Sequence, residues 1–105
     1  MTGTDPGGPS IRVDLREGFE DDEVVIHVGE QEVYRKQGVT TMTQIGRADG
    51  IDAPVAEGPL TVRVELPKRG LAESFSLPAP GLHLGISIED GEMTHEVSPT
   101  PFRYA

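Results

Sequence analysis

The sequence contains no cysteine and no tryptophan. The absence of cysteine excludes a disulfide framework, a zinc site built from thiolates and a cysteine nucleophile. It fits a reducing compartment, although many secreted β domains also lack cysteine. Aromatic residues make up only 5% of the chain, as three Phe and two Tyr. Few rings are therefore present for the stacking on which sugar-binding and peptide-binding sites depend.

Long apolar runs are also missing, because no segment approaches the roughly 18 residues that a membrane-spanning helix requires. The first ten residues, M-T-G-T-D-P-G-G-P-S, lack both the basic and the apolar region of a secretory signal. We therefore expect no membrane insertion. We expect a cytoplasmic protein if this N-terminus is native, whereas removal of a signal would leave the compartment open.

Basic residues are scarce relative to acidic ones, at 9 against 18, which gives a net charge of −9. A domain of this charge repels phosphate backbones and anionic membrane surfaces, so nucleic acid is not expected as a partner. The charge favours solubility, or alternatively a basic partner or a cation.

The clearest pattern in the chain is the segment L-T-V-R-V-E-L at residues 60–66, in which aliphatic and polar residues alternate. Successive side chains of a strand point to opposite faces, so this segment has one apolar and one polar face. Gly58-Pro59 precedes it and Pro67 follows it, and both signals bound strands. We predict a half-buried strand here.

Other segments share this alternation or are rich in β-branched residues. They predict further strands at residues 10–16, 24–28, 31–36, 39–45, 71–77, 82–88 and 92–97. Gly29-Glu30 predicts a type II′ hairpin turn and Asp90-Gly91 a type I′ turn, while Gln37-Gly38 is a further turn signal. Residues 46–59 are expected to form a long irregular connection that crosses between sheets or carries function.

No segment repeats apolar residues with helical spacing over three turns, so no substantial helix is expected. Short strands spaced 8 to 12 residues apart are typical of a sandwich or barrel. We therefore predict an all-β fold, a two-layer antiparallel β-sandwich of about 7–8 short strands. Its outline resembles immunoglobulin-like or fibronectin-like domains without the Cys, Trp, Cys pattern of true immunoglobulin domains, and this likeness implies no function. Residues 1–9 are predicted to be a disordered arm and residues 10–105 a single domain.

Three histidines are the residues most suited to catalysis or metal binding. His27 and His83 fall on predicted polar faces and could share a metal ion if their strands were neighbours, but two unrelated surface residues are the simpler interpretation. His95 is in phase with the apolar positions of its strand and is expected inside or at an edge. No H-E-x-x-H pair and no G-x-S-x-G elbow is present. We therefore predict no catalytic residue, no metal and no cofactor.

Acidic residues and rings supply the remaining candidates. Asp49, Asp52 and Glu57 lie in the 46–59 connection, and calcium prefers oxygen ligands from such loops. The run D-G-I-D does not continue as an EF-hand loop, however. Exposed rings are the platforms on which sugars and peptides stack. The predicted binding residues are Tyr34, Asp49, Asp52, Glu57, Phe102 and Tyr104.

Three functional hypotheses follow. The first is a non-enzymatic module that binds or scaffolds another protein, or associates with itself, through a sheet edge. The second is a carbohydrate-binding module, with or without the assistance of calcium, that uses the 46–59 loop. The third is an enzyme, which would require a cleft that gathers a histidine with a carboxylate. Which sheet edge is uncovered, and whether the histidines converge, would distinguish them.

Overall fold

A computed structural model describes residues 9–102 and contains eight strands in two sheets of four. The strands are β1 (Ser10–Leu15), β2 (Asp22–Val28), β3 (Gln31–Val39), β4 (Asp49–Pro54), β5 (Leu60–Leu66), β6 (Leu71–Leu77), β7 (His83–Glu89) and β8 (Glu92–Ser98). Sheet I has the order β4-β1-β7-β8 and sheet II the order β3-β2-β5-β6. The predicted two-layer β-sandwich is confirmed. The predicted arm at residues 1–9 lies outside the described residues except for Pro9.

The sheets are not wholly antiparallel, because β1 and β7 pair in parallel. The chain passes through sheet II between these two strands, so no hairpin fixes their relative direction. All other strand pairs are antiparallel. Sheet I is therefore mixed and sheet II is antiparallel.

The core lies between the two sheets and is built from the apolar faces predicted by alternation. β5 spans the predicted residues, and its Val62, Val64 and Leu66 are fully buried. Leu84 and Ile86 of β7 face them from the other layer and are equally inaccessible to water. Burial of each such side chain contributes about 1.5–3 kcal/mol. The period of two along these strands thus accounts for the packing of the two layers.

The threonine-rich segment at residues 39–45 is not a strand, which corrects the prediction. β3 ends at Val39, and residues 43–46 form a turn closed by a bridge between Met42 and Arg47. The Thr41 hydroxyl donates to the carbonyl of Arg16 at 2.7 Å and accepts from the backbone N–H of Phe19 at 3.0 Å. Threonine side chains that bind backbone groups in this way compete with strand pairing, so β propensity does not decide the local structure.

Two further expectations fail around this turn. Gln37-Gly38 is not a turn but part of β3, where the register shifts against β2 and Gly38 adopts a φ of 70°. An extra residue in one strand produces such a bulge, and glycine accommodates the positive φ. The 46–59 segment is not irregular throughout, since it contains β4. The chain leaves sheet II after β3, forms β4 in sheet I and returns to sheet II at β5, so the segment as a whole does not connect strands of different sheets.

Both predicted hairpin turns are present. Gly29 has a φ of 61°, as the first position of a type II′ turn requires. Asp90 and Gly91 have φ values of 53° and 79°, the pair of positive angles that defines type I′. These turns fix the registers of β2 with β3 and of β7 with β8.

A basic turn joins β5 to β6, and an ion pair connects this turn to β2. Pro67–Arg69 forms a short 3₁₀ helix, and Arg69 binds the Asp22 carboxylate through Nε at 2.8 Å and Nη2 at 2.9 Å. Burial acts to raise the pKa of Asp22, but the hydrogen bonds from Arg69 and from the backbone N–H of Glu20 lower it below its usual value.

Within residues 9–102 no helix is long and apolar enough to cross a bilayer.

Candidate binding sites

Tyr34 is the first predicted binding residue, and it forms part of the seam between the two sheets. It pairs with Ile26 of β2 and therefore points towards the core side, not outwards as its position in the sequence suggests. The register shift between Ile26 and His27 places Val33 as an extra residue in β3 and reverses the expected orientation. The Tyr34 hydroxyl donates to Asp49 Oδ2 of β4 at 2.7 Å.

The pKa shifts of Tyr34 and Asp49 favour a neutral phenol beside an ionised carboxylate. Burial acts to raise the pKa of Asp49, but hydrogen bonds from Tyr34, the Gly50 N–H and Lys36 together lower it. Burial and the neighbouring carboxylate both raise the pKa of Tyr34 above its ordinary value. The bond therefore acts mainly as a link between β3 and β4.

The predicted acidic residues diverge. Asp52 lies on the outer face of sheet I and binds Arg12 Nη1 at 3.0 Å, whereas Asp49 faces Tyr34 at the seam. Glu57 is exposed in the loop after β4. Within residues 9–102 no group of three or more His, Cys, Asp or Glu is arranged to hold a metal ion. Asp49, Asp52 and Glu57 therefore do not form one cluster of carboxylates.

A polar cleft of about 380 Å³ lies on the outer face of sheet I. Arg12 occupies its centre, paired in register with Asp52 of β4 on one side and His83 of β7 on the other. Arg12 Nε also binds Asp14 at 2.9 Å, and the Asp14 side chain is only 6% exposed. The cleft is lined by Arg12, Asp14, Arg47, Asp52, His83, Pro101 and Phe102. It brings together two of the predicted binding residues, Asp52 and Phe102.

Two strand glycines make room for this cleft. A methyl group at Gly50 would collide with the Arg47 guanidinium, and one at Gly85 would lie 2.8 Å from Arg16 Cδ and 3.1 Å from the Phe102 ring. The Arg16 guanidinium lies 4.6 Å from the centre of that ring. Of the two, Gly85 lies inside a strand predicted from the sequence, at residues 82–88. A glycine inside an alternating strand indicates close approach of another group, and this signal could have located the cleft.

The predicted histidines do not converge on one another. His27 lies in sheet II and His83 in sheet I, each on a strand position that faces away from the core. His95 of β8 faces the opposite layer, where its ring centre is 4.5 Å from that of Phe75. Hence the three side chains offer no shared site.

His83 does share the polar cleft with two carboxylates, which is the arrangement that the enzymatic hypothesis requires. Both Asp14 and Asp52 bind Arg12, however, and no serine or threonine lines the cleft. His83 Nδ1 is buried without a hydrogen-bond partner.

Phe102 lies over sheet I beside Gly85 and Arg16, and Tyr104 lies outside the described residues. A second, apolar groove of about 990 Å³ opens at one end of the sandwich. Its lining includes Val28, Val33, Pro54, Val55, Leu60 and Leu77. Glu30 is its single charged lining residue, so the groove provides few groups that would orient a ligand.

The four edge strands differ in how strongly they are protected against pairing with another chain. β3 carries two register shifts and three charged residues, and β4 is short, acidic and ends in Pro54. β8 contains two glutamates and a histidine. β6, with the sequence L-A-E-S-F-S-L, pairs with β5 over all seven residues without a shift and carries a single charge, Glu73. Bulges, prolines and charges are the usual protection of edges, and β6 has the least of it.

The register also identifies which backbone groups of β6 point away from the sheet. The Gly29 N–H donates to the Thr61 carbonyl at 2.9 Å, so Thr61 directs its backbone groups towards β2. Backbone direction alternates along a strand, so Val62 and Val64 bond to β6, where Phe75 and Glu73 face them. The intervening residues Ala72, Ser74 and Ser76 therefore direct their N–H and C=O groups outwards, and all three are exposed.

Comparisons of the chain with protein-family models, with curated proteins and with solved structures find no match.

Proposed function

We propose that this domain is a non-enzymatic protein-interaction module that binds a partner strand along the outer edge of β6. The observation that carries the proposal is the unbroken seven-residue register of β6 with β5, next to an outer edge without proline, glycine or bulge. In strand addition the main chain provides affinity, and side chains at alternate positions provide specificity.

The outward N–H and C=O groups of Ala72, Ser74 and Ser76 offer the partner a complete hydrogen-bonding edge. Each bond contributes about 0.5–1.5 kcal/mol net, so a strand of this length gives a weak but directional interaction. The exposed side chains are small, and they let a partner approach the backbone closely. A heterologous partner is expected to be basic, because the domain carries a net charge of −9.

Affinity capture with variants at Ser74 tests the proposal. Ser74→Pro removes an outward N–H and blocks strand addition, whereas Ser74→Ala keeps the N–H and is the matched control. We expect the wild-type domain and Ser74→Ala to retain the same partner from an extract of the producing cells, and Ser74→Pro to lose it. Equal retention by Ser74→Pro would contradict binding at this edge.

The immunoglobulin-like outline expected from the sequence is part of this proposal only as an architectural comparison. β2 neighbours β5, as the second and fifth strands do in immunoglobulin domains. β1 instead lies in sheet I, between β4 and β7. Edge recognition by β6 does not depend on this likeness.

The polar cleft supports a second candidate, carbohydrate binding. It combines an aromatic ring, Phe102, with the carboxylate of Asp52 and the guanidinium of Arg12. Sugars stack apolar faces on rings and hydrogen-bond to charged groups, and a volume of about 380 Å³ lies at the small end of the range for ligand pockets. This candidate keeps two of the residues predicted from the sequence but moves the site from the 46–59 loop to the face of sheet I.

Calorimetry with a glycan panel, with and without calcium, tests this candidate. Binding that is lost in Asp52→Asn and Phe102→Ala, but kept in Glu57→Gln, would place the sugar in the cleft. Glu57 is exposed and outside the cleft, so Glu57→Gln is the control. The absence of heat with every glycan, in both conditions, would remove the candidate.

A further inference from the structure

We infer that the strand received by β6 is β6 of a second copy of this chain, paired antiparallel about a two-fold axis that passes beside Ser74. The inference rests on the proposed function and names its partner. Symmetric pairing of this kind makes one continuous eight-stranded sheet from the two copies of sheet II. Such an interface is isologous, since the same strand contributes from both sides.

The sequence of β6 is nearly self-complementary. L-A-E-S-F-S-L read backwards is L-S-F-S-E-A-L, so antiparallel pairing centred on Ser74 sets Leu71 opposite Leu77 and Ala72 opposite Ser76. Ser74 lies opposite its own copy. Leucine thus faces leucine and the small residues Ala and Ser face each other, while the remaining pair sets Glu73 opposite Phe75.

The hydrogen-bond pattern fits the same register. Ala72, Ser74 and Ser76 are the residues whose backbone groups point outwards, and this register sets them opposite one another. The two Ser74 residues exchange two N–H···O bonds across the axis, and each Ala72 exchanges two more with the Ser76 of the other copy. A shift of one residue would set outward-pointing groups opposite groups already bonded to β5, so a register displaced by one residue is excluded.

Charge does not oppose a second copy at β6. Glu73 is the single charged residue of β6, and in this register it lies opposite Phe75 of the other copy, not opposite the second Glu73. No like charges therefore lie directly opposite each other in the proposed pairing.

Salt dependence separates self-association from binding to a basic partner. Two copies that each carry a net charge of −9 repel each other at long range, and salt screens this repulsion beyond about 8 Å at physiological ionic strength. Association of the chain with itself should therefore strengthen as salt is added. Binding of a basic partner should weaken under the same change.

Disulfide trapping tests both the partner and the register, because the chain has no other cysteine. In the proposed dimer the Cα atoms of the two residues at position 74 are about 5.5 Å apart, within the range of about 4.4–6.8 Å that a disulfide spans. Residue 76 lies opposite residue 72 of the other copy, so two thiols at position 76 are about 14 Å apart along the strands. Ser76→Cys is thus a control on the same exposed face.

We expect Ser74→Cys to form a covalent dimer under mild oxidation and Ser76→Cys to remain monomeric. A mixture of Ala72→Cys with Ser76→Cys should give the heterodimer. Equal trapping at positions 74 and 76, or no trapping at 74, would overturn the inference. If trapping at 74 fails while Ser74→Pro still abolishes capture of another protein, the edge is confirmed and the second copy is excluded. If the Ser74→Pro variant retains the partner protein as well as the wild type does, the proposed binding at the β6 edge is also wrong.

Discussion

The two long sides of the sandwich are closed by different chemistry. On one side β3 and β4 are joined by the Tyr34–Asp49 hydrogen bond, with Lys36 Nζ 3.4 Å from the same carboxylate. On the other side β6 and β8 meet through the rings of Phe75 and His95. We call them the polar seam and the ring seam.

The difference extends to the strands themselves. At the polar seam β3 is bulged and charged, and β4 ends in proline, so both edges are poor templates for a further strand. At the ring seam β6 and β8 pair regularly with their neighbours over seven residues each. A sandwich can therefore protect one side with side-chain hydrogen bonds and irregular strands while the opposite side keeps regular edges available for binding.

Loss of the ring at position 75 should have the largest effect. Phe75 is 7% exposed and packs in the core beside His95. Phe75→Ala removes that packing and leaves a cavity, so we expect the free energy of unfolding to fall by about 3–5 kcal/mol. Urea denaturation of the wild type and variant measures the change, with Phe75→Leu as the milder comparison. A loss below about 1 kcal/mol would mean that packing does not hold the ring seam closed.

Removal of one hydroxyl from the polar seam should have a smaller effect. Tyr34→Phe keeps the ring but leaves the Asp49 carboxylate without its closest donor. We expect a loss of about 1–2 kcal/mol, since hydrogen bonds to charged groups contribute about 1.5–3 kcal/mol. Lys36→Ala is the control, because this lysine is exposed and surface ion pairs contribute about 0–1 kcal/mol. Equal losses in the two variants would show that the phenol is not the main link.

The polar seam should also depend on pH at both extremes. The pKa of Asp49 is lowered in the fold, so its contribution is present above the unfolded pKa of about 3.9 and is lost as the pH falls through the folded value. The pKa of Tyr34 is raised, so its contribution is present below the unfolded pKa of about 10 and is lost as the pH rises through the folded value.

We therefore expect the stability difference between wild type and Tyr34→Phe to be greatest near neutrality and to shrink below about pH 4 and above about pH 10. Chemical denaturation at acidic, neutral and alkaline pH measures it. A difference that stays constant across this range would contradict the phenol–carboxylate assignment.

Proline at the outer edge of β6 should affect the monomer least. The N–H of Ser74 points away from β5, so Ser74→Pro removes no ladder bond and should change stability by less than about 1 kcal/mol. Glu73→Pro removes an N–H that points towards β5, and we expect it to cost about 1–3 kcal/mol. If both substitutions cost the same, the assignment of outward groups on β6 is wrong.

Alternation predicted the strands whose two faces differ in polarity. β5 and β6 coincide with their predicted ranges, and the Gly29 and Asp90-Gly91 turns have their predicted geometry. These features depend on residues close together in the chain. The strand prediction for residues 39–45 was wrong because their threonines form hydrogen bonds to backbone groups more than 15 residues away, which no local pattern indicates.

The candidate sites were less accessible to sequence reasoning. Tyr34 faces the core and not the solvent because one bulge in β3 reverses the orientation of the residues beyond it. The polar cleft depends on the parallel pairing of β1 with β7, which sets Arg12 beside His83. Which strand becomes an unprotected edge follows from strand order, and that order is set by contacts between distant segments.

Concentration-dependent amide exchange tests the central claim, an open β6 edge that a second copy covers, most directly. At low protein concentration the amide protons of Ala72, Ser74 and Ser76 should exchange rapidly, while those of Glu73 and Phe75, bonded to β5, are protected. As concentration and salt rise, the first three should become protected together. Protection of all five at every concentration would show that the edge is already covered within the monomer. Rapid exchange of the first three at every concentration would show that no second copy binds there.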